Sequence, residues 1–314
     1  MAKTYAIAIV GIGKITEDQH LPCIAGNSRF ELAALVSQRG VTRPGVPGFK
    51  TTEEMLVALP EVDAVAICTP PNARHAITRA VLDAGKHALL EKPTTTTTAE
   101  LTDLNAHAQK TGRHIFTTWH SQFNTAVDKA KQLLTGKRLT KLHVSWKEDV
   151  RRWHPGQEWI WQAGGFGVFD PGINALSIVT KIAPEPLFVK SADLTFPANR
   201  DTPIAANLVL STGHGGSMED LTAEFDWRQT GPQSWNITVT TSDGQTLALT
   251  DGGSKLAVDG APVVTEKMAE YEAIYARFAE LLDAGKSEID AAPLQLVADA
   301  YLVGKRRQTE AFDW

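Results

Sequence analysis

The chain has few cysteines, no long apolar run and no metal-like clustering of histidines. Only Cys23 and Cys68 occur among its 314 residues, which argues against a disulfide framework or a thiolate metal site and favours a reducing compartment. No stretch approaches the roughly 20 apolar residues that cross a bilayer, and the first residues lack a signal-peptide pattern. Its nine His residues show no zinc-like spacing. We expect a cytoplasmic protein without a membrane span or a catalytic metal.

An excess of positive charge is also missing. The chain has 31 Lys and Arg residues against 36 Asp and Glu residues, which gives a formal net charge of -5. This balance offers no general attraction for a phosphate backbone, so a nucleic-acid partner is not expected. With 43% hydrophobic and 21% charged residues, the composition is that of a globular protein, and the length suits about two domains.

The first 120 residues alternate apolar strands with helical patterns. A capping-box spacing from Thr97 to Glu100 marks the start of one of the helices. This alternation predicts a Rossmann domain over residues 1–120, which is a doubly wound parallel sheet. The predicted strands are Tyr5–Val10, Phe30–Val36, Val62–Ile67, His87–Leu90 and His114–Thr117, and the predicted helices include His75–Ala84 and Leu101–Gln109.

From residue 121 onward the pattern changes to strands without intervening helices. It predicts an α+β domain over residues 121–314 with a mainly antiparallel open sheet, in which Ser242–Gly244 form a tight hairpin. The predicted strands are Lys141–Lys147, Leu187–Leu194, Ala205–Ser211, Leu221–Trp227, Trp235–Thr241 and Thr246–Thr250. Helical patterns at Ala269–Ala284 and Pro293–Lys305 follow, and these helices could pack back on the first domain.

A glycine turn follows the first predicted strand and precedes a helix. Gly11 permits a tight turn, and Gly13 lets main-chain N–H groups approach a pyrophosphate at the helix N-terminus. Thr16 stands where a third small residue is usual, which weakens only the close packing of helix on strand. The context predicts a dinucleotide site. Its expected contacts are Gly11, Ile12, Gly13, Lys14 and Ile15.

The end of the second strand bears on the choice of cofactor. Sites for NAD normally place an acidic residue there, whereas this strand continues as Ser37, Gln38 and Arg39. Ser37 can donate a hydrogen bond, and Arg39 can pair with a 2′-phosphate. We expect these three residues to contact the cofactor and NADP to be preferred, with NAD also accepted. The alternative is that Arg39 is simply a solvated loop residue.

Two more strand ends carry polar residues at the edge where such sheets bind ligands. The third strand leads into Cys68, Thr69, Pro70 and, after one more proline, Asn72. The fourth leads into Glu91 and Lys92, and Pro93 holds the Lys92 backbone extended. All six of these polar or strand-end residues are expected to contact the cofactor: Cys68, Thr69, Pro70, Asn72, Glu91 and Lys92.

The sequence Glu91-Lys92-Pro93 matches the Glu-Lys-Pro motif of the glucose-fructose oxidoreductase and inositol dehydrogenase family. With its glycine turn, its Thr69-Pro70 segment and its antiparallel second domain, the chain resembles this family over essentially its whole length. The resemblance implies a pyridine-nucleotide-dependent oxidoreductase in which Lys92 acts in catalysis. It also implies a homodimer formed through the C-terminal sheet.

Two segments of the second domain refine this resemblance. Lys147–Gly156 and Gly164–Asn174 look like the aldose 1-dehydrogenases of the family, which oxidise L-arabinose or D-galactose, and Asn174 stands where many other members carry His. The resemblance implies Asp170 and Asn174 as catalytic partners of Lys92. It further implies a sugar site with the residues His120, Glu148, Trp153, His154 and Trp235. From the residues alone, Asp170 before Pro171 predicts a helix N-cap with Asn174 about one turn along the same face.

The implied reaction moves a hydride from the anomeric carbon to the cofactor while the sugar hydroxyl loses a proton, giving an aldonolactone. Burial and the cationic nicotinamide would both favour a neutral Lys92 amine as the proton acceptor. Asp170 could orient Lys92 or share the proton transfer, and the sequence leaves these roles open. Three alternatives also stay open: a non-catalytic sugar sensor, a ring-hydroxyl dehydrogenase of the inositol type, and a structural dimerisation module.

Overall fold

The computed structural model describes residues 2–213, 220–265 and 269–313. The chain forms two compact units. The first comprises Met1–His120 with Ala269–Ala291, and the second comprises Ser121–Met268 with Ala292–Trp314. Within the described ranges, none of the helices has the length and apolar character that a membrane span requires.

The first unit is built on a six-stranded parallel sheet with the order β3-β2-β1-β4-β5-β6. Its central strands are continuous apolar runs, and every residue of β4 is buried because helices cover both faces of such a sheet. The predicted Rossmann fold is confirmed. The strands are β1 (Tyr5–Val10), β2 (Phe30–Val36), β3 (Gly48–Phe49), β4 (Ala64–Ile67), β5 (His87–Glu91) and β6 (Ile115–Thr118).

The helices of this unit include one from far along the chain. The capping box predicted at Thr97 is confirmed: the Thr97 hydroxyl accepts from the Glu100 N–H at 3.3 Å, and the Glu100 carboxylate accepts from the Thr97 N–H at 3.1 Å. The helices are a π-helical turn (Thr16–His20), α1 (Leu21–Ala25), α2 (Thr52–Ala58), α3 (Pro71–Asp83), α4 (Thr98–Thr111) and α8 (Glu270–Ala284). In α8, Phe278 stacks on Phe30 and Phe116, which anchors this late helix to the first unit.

The second unit is built on a sheet with the order β14-β13-β12-β11-β7-β10-β9-β8-β15. Adjacent strands pair antiparallel except at β7–β10 and β8–β15, so the prediction of a mainly antiparallel sheet is confirmed. The strands are β7 (Leu139–Lys147), β8 (Leu187–Pro197), β9 (Ala205–Thr212), β10 (Asp220–Asp226), β11 (Ser234–Thr241), β12 (Thr246–Thr250), β13 (Lys255–Val258), β14 (Ala261–Thr265) and β15 (Gly304–Thr309).

Helices of the second unit cover the apolar face of this sheet. In β9 and β10 buried and more exposed positions alternate, as expected for a sheet with one packed face. The helices are α5 (Thr125–Leu134), α6 (Val150–Trp153), α7 (Phe169–Ile182) and α9 (Ala292–Val303), and short 3-10 turns lie at His120–Phe123, Glu158–Trp161 and Asp251–Gly253.

Two local predictions for the second unit are wrong. The last helix, predicted to reach Lys305, ends at Val303, because the chain from Gly304 onward pairs as β15 with β8. Asp170 is not a helix N-cap. Helix α7 begins at Phe169 with Val168 as its N-cap, so Asp170 lies inside the first turn.

The pair of His87 and His114 makes the stability of the first unit sensitive to acid. The two rings stack with centroids 4.9 Å apart, and the His87 Nδ1 accepts from the His114 N–H at 3.1 Å. Burial, followed by the nearby His114 and Arg113, lowers the pKa of His87 to about 4. Folding therefore favours the neutral ring, and this stability is complete above the unfolded pKa of about 6.5 and is lost as the pH falls towards 4.

We predict that His87→Asn, which keeps an acceptor near the Nδ1 position, removes part of this acid sensitivity. The melting temperature of the unsubstituted protein should fall further between pH 7 and pH 4.5 than that of the variant, by about 3 °C. Thermal unfolding followed by circular dichroism measures the melting temperatures of the protein and the variant at each pH. His143→Asn, at an exposed strand position, is the control. Parallel curves for the protein and the His87 variant would contradict the prediction.

Candidate active site

The glycine turn after β1 has the shape that a dinucleotide cradle requires. Gly11 has a φ of +96°, and a Cβ there would lie 2.7 Å from the Thr69 main-chain nitrogen, so the fold itself demands glycine. Around a Cβ at Gly13 there is no described protein atom within 4 Å. A side chain at Gly13 would thus project into open space beside the helix N-terminus, which fits the phosphates of a dinucleotide. The Thr16 hydroxyl donates to the Gly11 carbonyl at 2.8 Å, which ties the helix to the turn.

The structure brings Arg39 to this turn. Its Nη2 donates to the Ile12 carbonyl at 3.3 Å, and the side chain is exposed. Ser37 is half-buried and its hydroxyl oxygen accepts from the Val41 N–H at 3.2 Å, whereas Gln38 is exposed. Of the other predicted contacts, Ile12 and Ile15 are half-buried and Lys14 is exposed in an ion pair with Asp18.

The strand ends expected to bind the cofactor lie on neighbouring strands. Strands β1, β4 and β5 are adjacent and parallel, so the segments that follow them meet at one edge of the sheet. After β4, Cys68 and Thr69 are half-buried, while Pro70 and Asn72 are exposed at the start of α3. After β5, Lys92 is half-buried and is joined to Pro93 by a cis peptide bond.

Glu91, the last residue of β5, points into the protein and is only 2% exposed. Its Oε1 accepts from the His20 Nε2 at 3.0 Å and from the Tyr271 hydroxyl at 2.8 Å, and its Oε2 accepts from the Lys92 N–H at 3.0 Å. Burial would raise the pKa of Glu91, but the His20 hydrogen bond and the charges of His20, His120 and Arg74 lower it to about 2. The carboxylate stays ionised and acts only as an acceptor.

The groups around Glu91 hold their protons. Burial would lower the pKa of His20, but Cys68, Tyr275 and the Glu91 carboxylate raise it well above its ordinary value. The His20 Nδ1 lies 2.8 Å from the Tyr275 hydroxyl. Burial raises the pKa of Tyr275 to about 12, and burial together with Glu91 raises the pKa of Tyr271 well above its ordinary value. Both phenols therefore remain neutral.

His120, predicted to bind sugar, lies beside this network. Its Nδ1 is 2.7 Å from a Glu270 carboxylate oxygen, and its ring stacks on Tyr271 with centroids 5.8 Å apart. Burial would lower the pKa of His120, but Glu270 and Glu91 raise it against the opposing charge of Lys92. The pairing with Glu270 therefore favours the protonated ring of His120 near Lys92.

Arg74 is a second buried residue that bears on Lys92. It lies on α3 and is 4% exposed. Its Nη1 donates to the carbonyl oxygens of Glu91 and Pro93, and its Nε donates to the Thr69 carbonyl at 2.7 Å. One guanidinium thus joins the segment after β4 to the segment after β5.

In the second unit, His154 lies between two buried carboxylates. Its Nε2 is 3.4 Å from Glu148 Oε1, and its Nδ1 is 3.6 Å from Asp170 Oδ2. Glu148 is 5% and Asp170 3% exposed. Each ring nitrogen faces one of the two carboxylates, and buried polar groups of this kind need such partners. The Trp235 Nε1 donates to Glu148 Oε2 at 2.9 Å, which links the indole to the same cluster.

The two predicted tryptophans meet beside this cluster. The rings of Trp153 and Trp235 pack edge to face with centroids 5.3 Å apart, and the Trp153 Nε1 donates to Gln233 at 3.3 Å. Asn174 is half-buried on α7, four residues after Asp170, so the two lie on one helix face as expected. Of the second-unit residues predicted for the sugar site, Trp153 lies on α6 and Trp235 on β11, while Glu148 follows β7 and His154 follows α6.

Sequence reasoning missed four residues of the first-unit site. They are His20, Arg74, Tyr271 and Tyr275, and none of them stands at the end of a strand, which was the criterion that found Glu91 and Lys92. Tyr271 is 180 residues from Glu91 along the chain. Arg74 left no signal either, because its burial near two strand ends is not visible in the sequence.

Comparison with known proteins agrees with this geometry. Residues 5–118 match the model of the oxidoreductase family with an NAD-binding Rossmann fold, Gfo/Idh/MocA. The galactose 1-dehydrogenase of Pseudomonas fluorescens is 42% identical over 306 residues, which cover 98% of this chain and 98% of that protein.

Solved structures extend the likeness to the whole chain. The crystal structure of D-galactose-1-dehydrogenase from Rhizobium etli has a TM-score of 0.94 and 51% identity, covering 100% of this chain and 99% of that one. A 3-ketoreductase from Actinomadura kijaniata, solved with NADP and TDP-benzene, shares the fold with a TM-score of 0.82 and 18% identity over 98% of this chain and 100% of that one. The sequence resemblance is confirmed, and the chain belongs to the Gfo/Idh/MocA family of oxidoreductases.

Proposed function

We propose that the protein is an NAD(P)-dependent aldose 1-dehydrogenase that oxidises the anomeric carbon of D-galactose or L-arabinose to the aldonolactone. The observation that carries the proposal is the 42% identity to a galactose 1-dehydrogenase over 98% of both chains. The two sugars share the configuration of ring carbons two to four and differ in the substituent at carbon five, so one site could accept both. A sugar sensor would have no need of Lys92, and a ring-hydroxyl dehydrogenase would give a different product.

The cofactor proposal is NADP in preference to NAD. The open space at Gly13 and the helix N-terminus suit the pyrophosphate. The exposed guanidinium of Arg39 beside the glycine turn suits a 2′-phosphate, and no carboxylate follows β2 to repel that phosphate.

In the proposed mechanism the bound nicotinamide supplies the hydride acceptor, and the protein supplies orientation and proton transfer. The sugar C1–H bond breaks with its electron pair, the C1–O1 bond becomes the lactone carbonyl, and the O1 proton leaves to a base. Lys92 is the first candidate for that base, in its neutral form. Asp170 is the alternative, and Asn174, on the same face of α7, would hold the anomeric hydroxyl.

The sugar-binding proposal rests on the chemistry of the second-unit cluster. Trp153 and Trp235 offer aromatic surface for the C–H face of a pyranose, while Glu148 and His154 offer an acceptor and a donor for its hydroxyls. His120 of the first unit is proposed as a further hydroxyl contact. An oxidoreductase site for a polar, uncharged substrate needs this mixture of apolar surface and a few fixed polar groups.

The homodimer through the second sheet and the cytoplasmic location stay predictions. For the dimer, Phe188 on β8 and Val209 on β9 provide support, because both are exposed large apolar side chains on the open face of adjacent strands.

The function is tested by measuring kcat/KM for a panel of aldoses with NADP and NAD, following cofactor reduction at 340 nm. We expect D-galactose and L-arabinose to be the best substrates and NMR of the product to show a 1,5-lactone that hydrolyses to the aldonate. A keto-sugar product would favour the ring-hydroxyl dehydrogenase. Sugar binding without turnover would favour a sensor.

We predict that Lys92→Met lowers kcat by about a hundredfold or more, because a lost acid-base group has roughly that effect. Steady-state kinetics with D-galactose measure it. Lys86→Met, just before the other end of β5, is the matched control and should keep normal turnover. Near-normal turnover of Lys92→Met would remove Lys92 from the chemistry and leave Asp170 as the base.

We predict that Arg39→Ala lowers kcat/KM for NADP by about 10- to 100-fold, the range expected for hydrogen bonds to a charged group, with little change for NAD. Arg43→Ala is the matched control, since Arg43 is exposed nearby but is paired with Glu17 at 2.5 Å. If the ratio of kcat/KM for NADP to kcat/KM for NAD is the same in Arg39→Ala as in the unsubstituted protein, Arg39 does not bind the 2′-phosphate.

A further inference from the structure

The main chain on both sides of Lys92 is held by side chains from within the first unit. The carbonyl oxygens of Glu91 and Pro93 flank Lys92, and both accept from the same Nη1 of Arg74. The N–H of Lys92 itself donates to the Glu91 carboxylate at 3.0 Å. Three main-chain atoms around Lys92 are therefore hydrogen-bonded to side chains: the carbonyl oxygens of Glu91 and Pro93 and the N–H of Lys92.

Arg74 does this in a way that another cation could not. Its guanidinium is a rigid planar fork with five donors, and here it reaches three carbonyls at once, since its Nε also donates to the Thr69 carbonyl at 2.7 Å. A lysine ammonium is a point charge on a flexible stem and would not reproduce this geometry. Arg74 also carries its charge at 4% exposure, where an unmatched guanidinium would be costly.

Glu91 in turn is fixed by two helices. His20, from the helical segment after the glycine turn, and Tyr271, from α8, both donate to its Oε1 and leave Oε2 directed at the Lys92 N–H. The carboxylate cannot rotate without breaking these bonds. The orientation of the Lys92 main chain thus depends in part on His20 and Tyr271, which are not among the residues expected to bind the cofactor or the sugar.

We propose that Arg74 and Glu91, with His20 and Tyr271 behind Glu91, are positioning residues for Lys92. They fix its backbone so that the amine reaches the sugar hydroxyl through its own side-chain torsions alone. This inference rests on the proposed function, in which Lys92 accepts the proton. A displacement of a reacting group by about 1 Å can lower the rate roughly a hundredfold, so a loss of these backbone contacts should lower kcat measurably.

The first test compares Arg74→Lys with Arg79→Lys. Arg79 lies on the same helix but is only half-buried and is bonded to the exposed Asp103, so its substitution is the matched control. We expect Arg74→Lys to lower kcat by about 10- to 100-fold with a small change in KM for the sugar. Hydrogen–deuterium exchange of the peptide around residues 90–95, measured on the protein without sugar, should speed up by about tenfold or more in this variant only.

The second test covers the case in which Arg74→Lys does not fold. Tyr271→Phe removes one donor to Glu91, and Tyr275→Phe on the same helix removes a buried hydroxyl that meets His20 instead. We expect Tyr271→Phe to lower kcat several-fold more than Tyr275→Phe and to increase exchange of the Lys92 amide, at similar losses of melting temperature. Equal effects of the two variants would overturn the proposal.

The outcomes separate this inference from the proposed function. Faster exchange at Lys92 with unchanged kcat would refute the positioning role and leave the dehydrogenase activity intact. An unsubstituted protein that turns over no aldose would refute the proposed function, whatever the exchange measurements give. Unchanged exchange and unchanged kcat in both Arg74→Lys and Tyr271→Phe would also refute the positioning role.

Discussion

The first unit depends on one buried carboxylate. Glu91 is ionised within the protein at 2% exposure, which is unfavourable unless every oxygen is matched by donors. Three groups from three parts of the chain meet that requirement: an imidazole after the glycine turn, a phenol on α8 and the amide of the next residue. The same interaction that makes the carboxylate tolerable also joins the late helix α8 to the Rossmann sheet at the end of β5.

Arg74 completes this arrangement with the opposite charge. Its guanidinium satisfies main-chain carbonyls at two strand ends, where the polypeptide leaves the sheet and its polar groups lose their ladder partners. Buried charges of both signs therefore surround Lys92, and each is matched locally. These hydrogen bonds hold the main chain of both strand-end segments, while Lys92 itself is half-buried.

In the second unit, too, buried carboxylates face nitrogen-bearing side chains. His154 lies between Glu148 and Asp170, and the Trp235 indole adds a donor to Glu148. Trp153 and Trp235 lie beside this polar cluster, and such a combination of polar groups and aromatic rings suits an uncharged substrate with many hydroxyls.

The sequence by itself determined the features that depend on residues close together in the chain, namely the strands and the start of a helix. The apolar runs predicted the parallel sheet and the position of Lys92 just after its fourth strand, and the spacing of Thr97 and Glu100 predicted a capping box. The same local patterns also gave two wrong boundaries. They extended the last helix into β15, which pairs with β8, and they made Asp170 a cap, whereas α7 begins one residue earlier, at Phe169.

Only the tertiary structure decided which side chains surround Lys92 and Asp170. Tyr271 reaches Glu91 from 180 residues away, and Arg74 finds its carbonyls only because β4 and β5 are neighbours in the sheet. The charge state and orientation of a buried group depend on all the atoms around it, and folding brings those atoms together from distant positions. No spacing in the sequence carries that information.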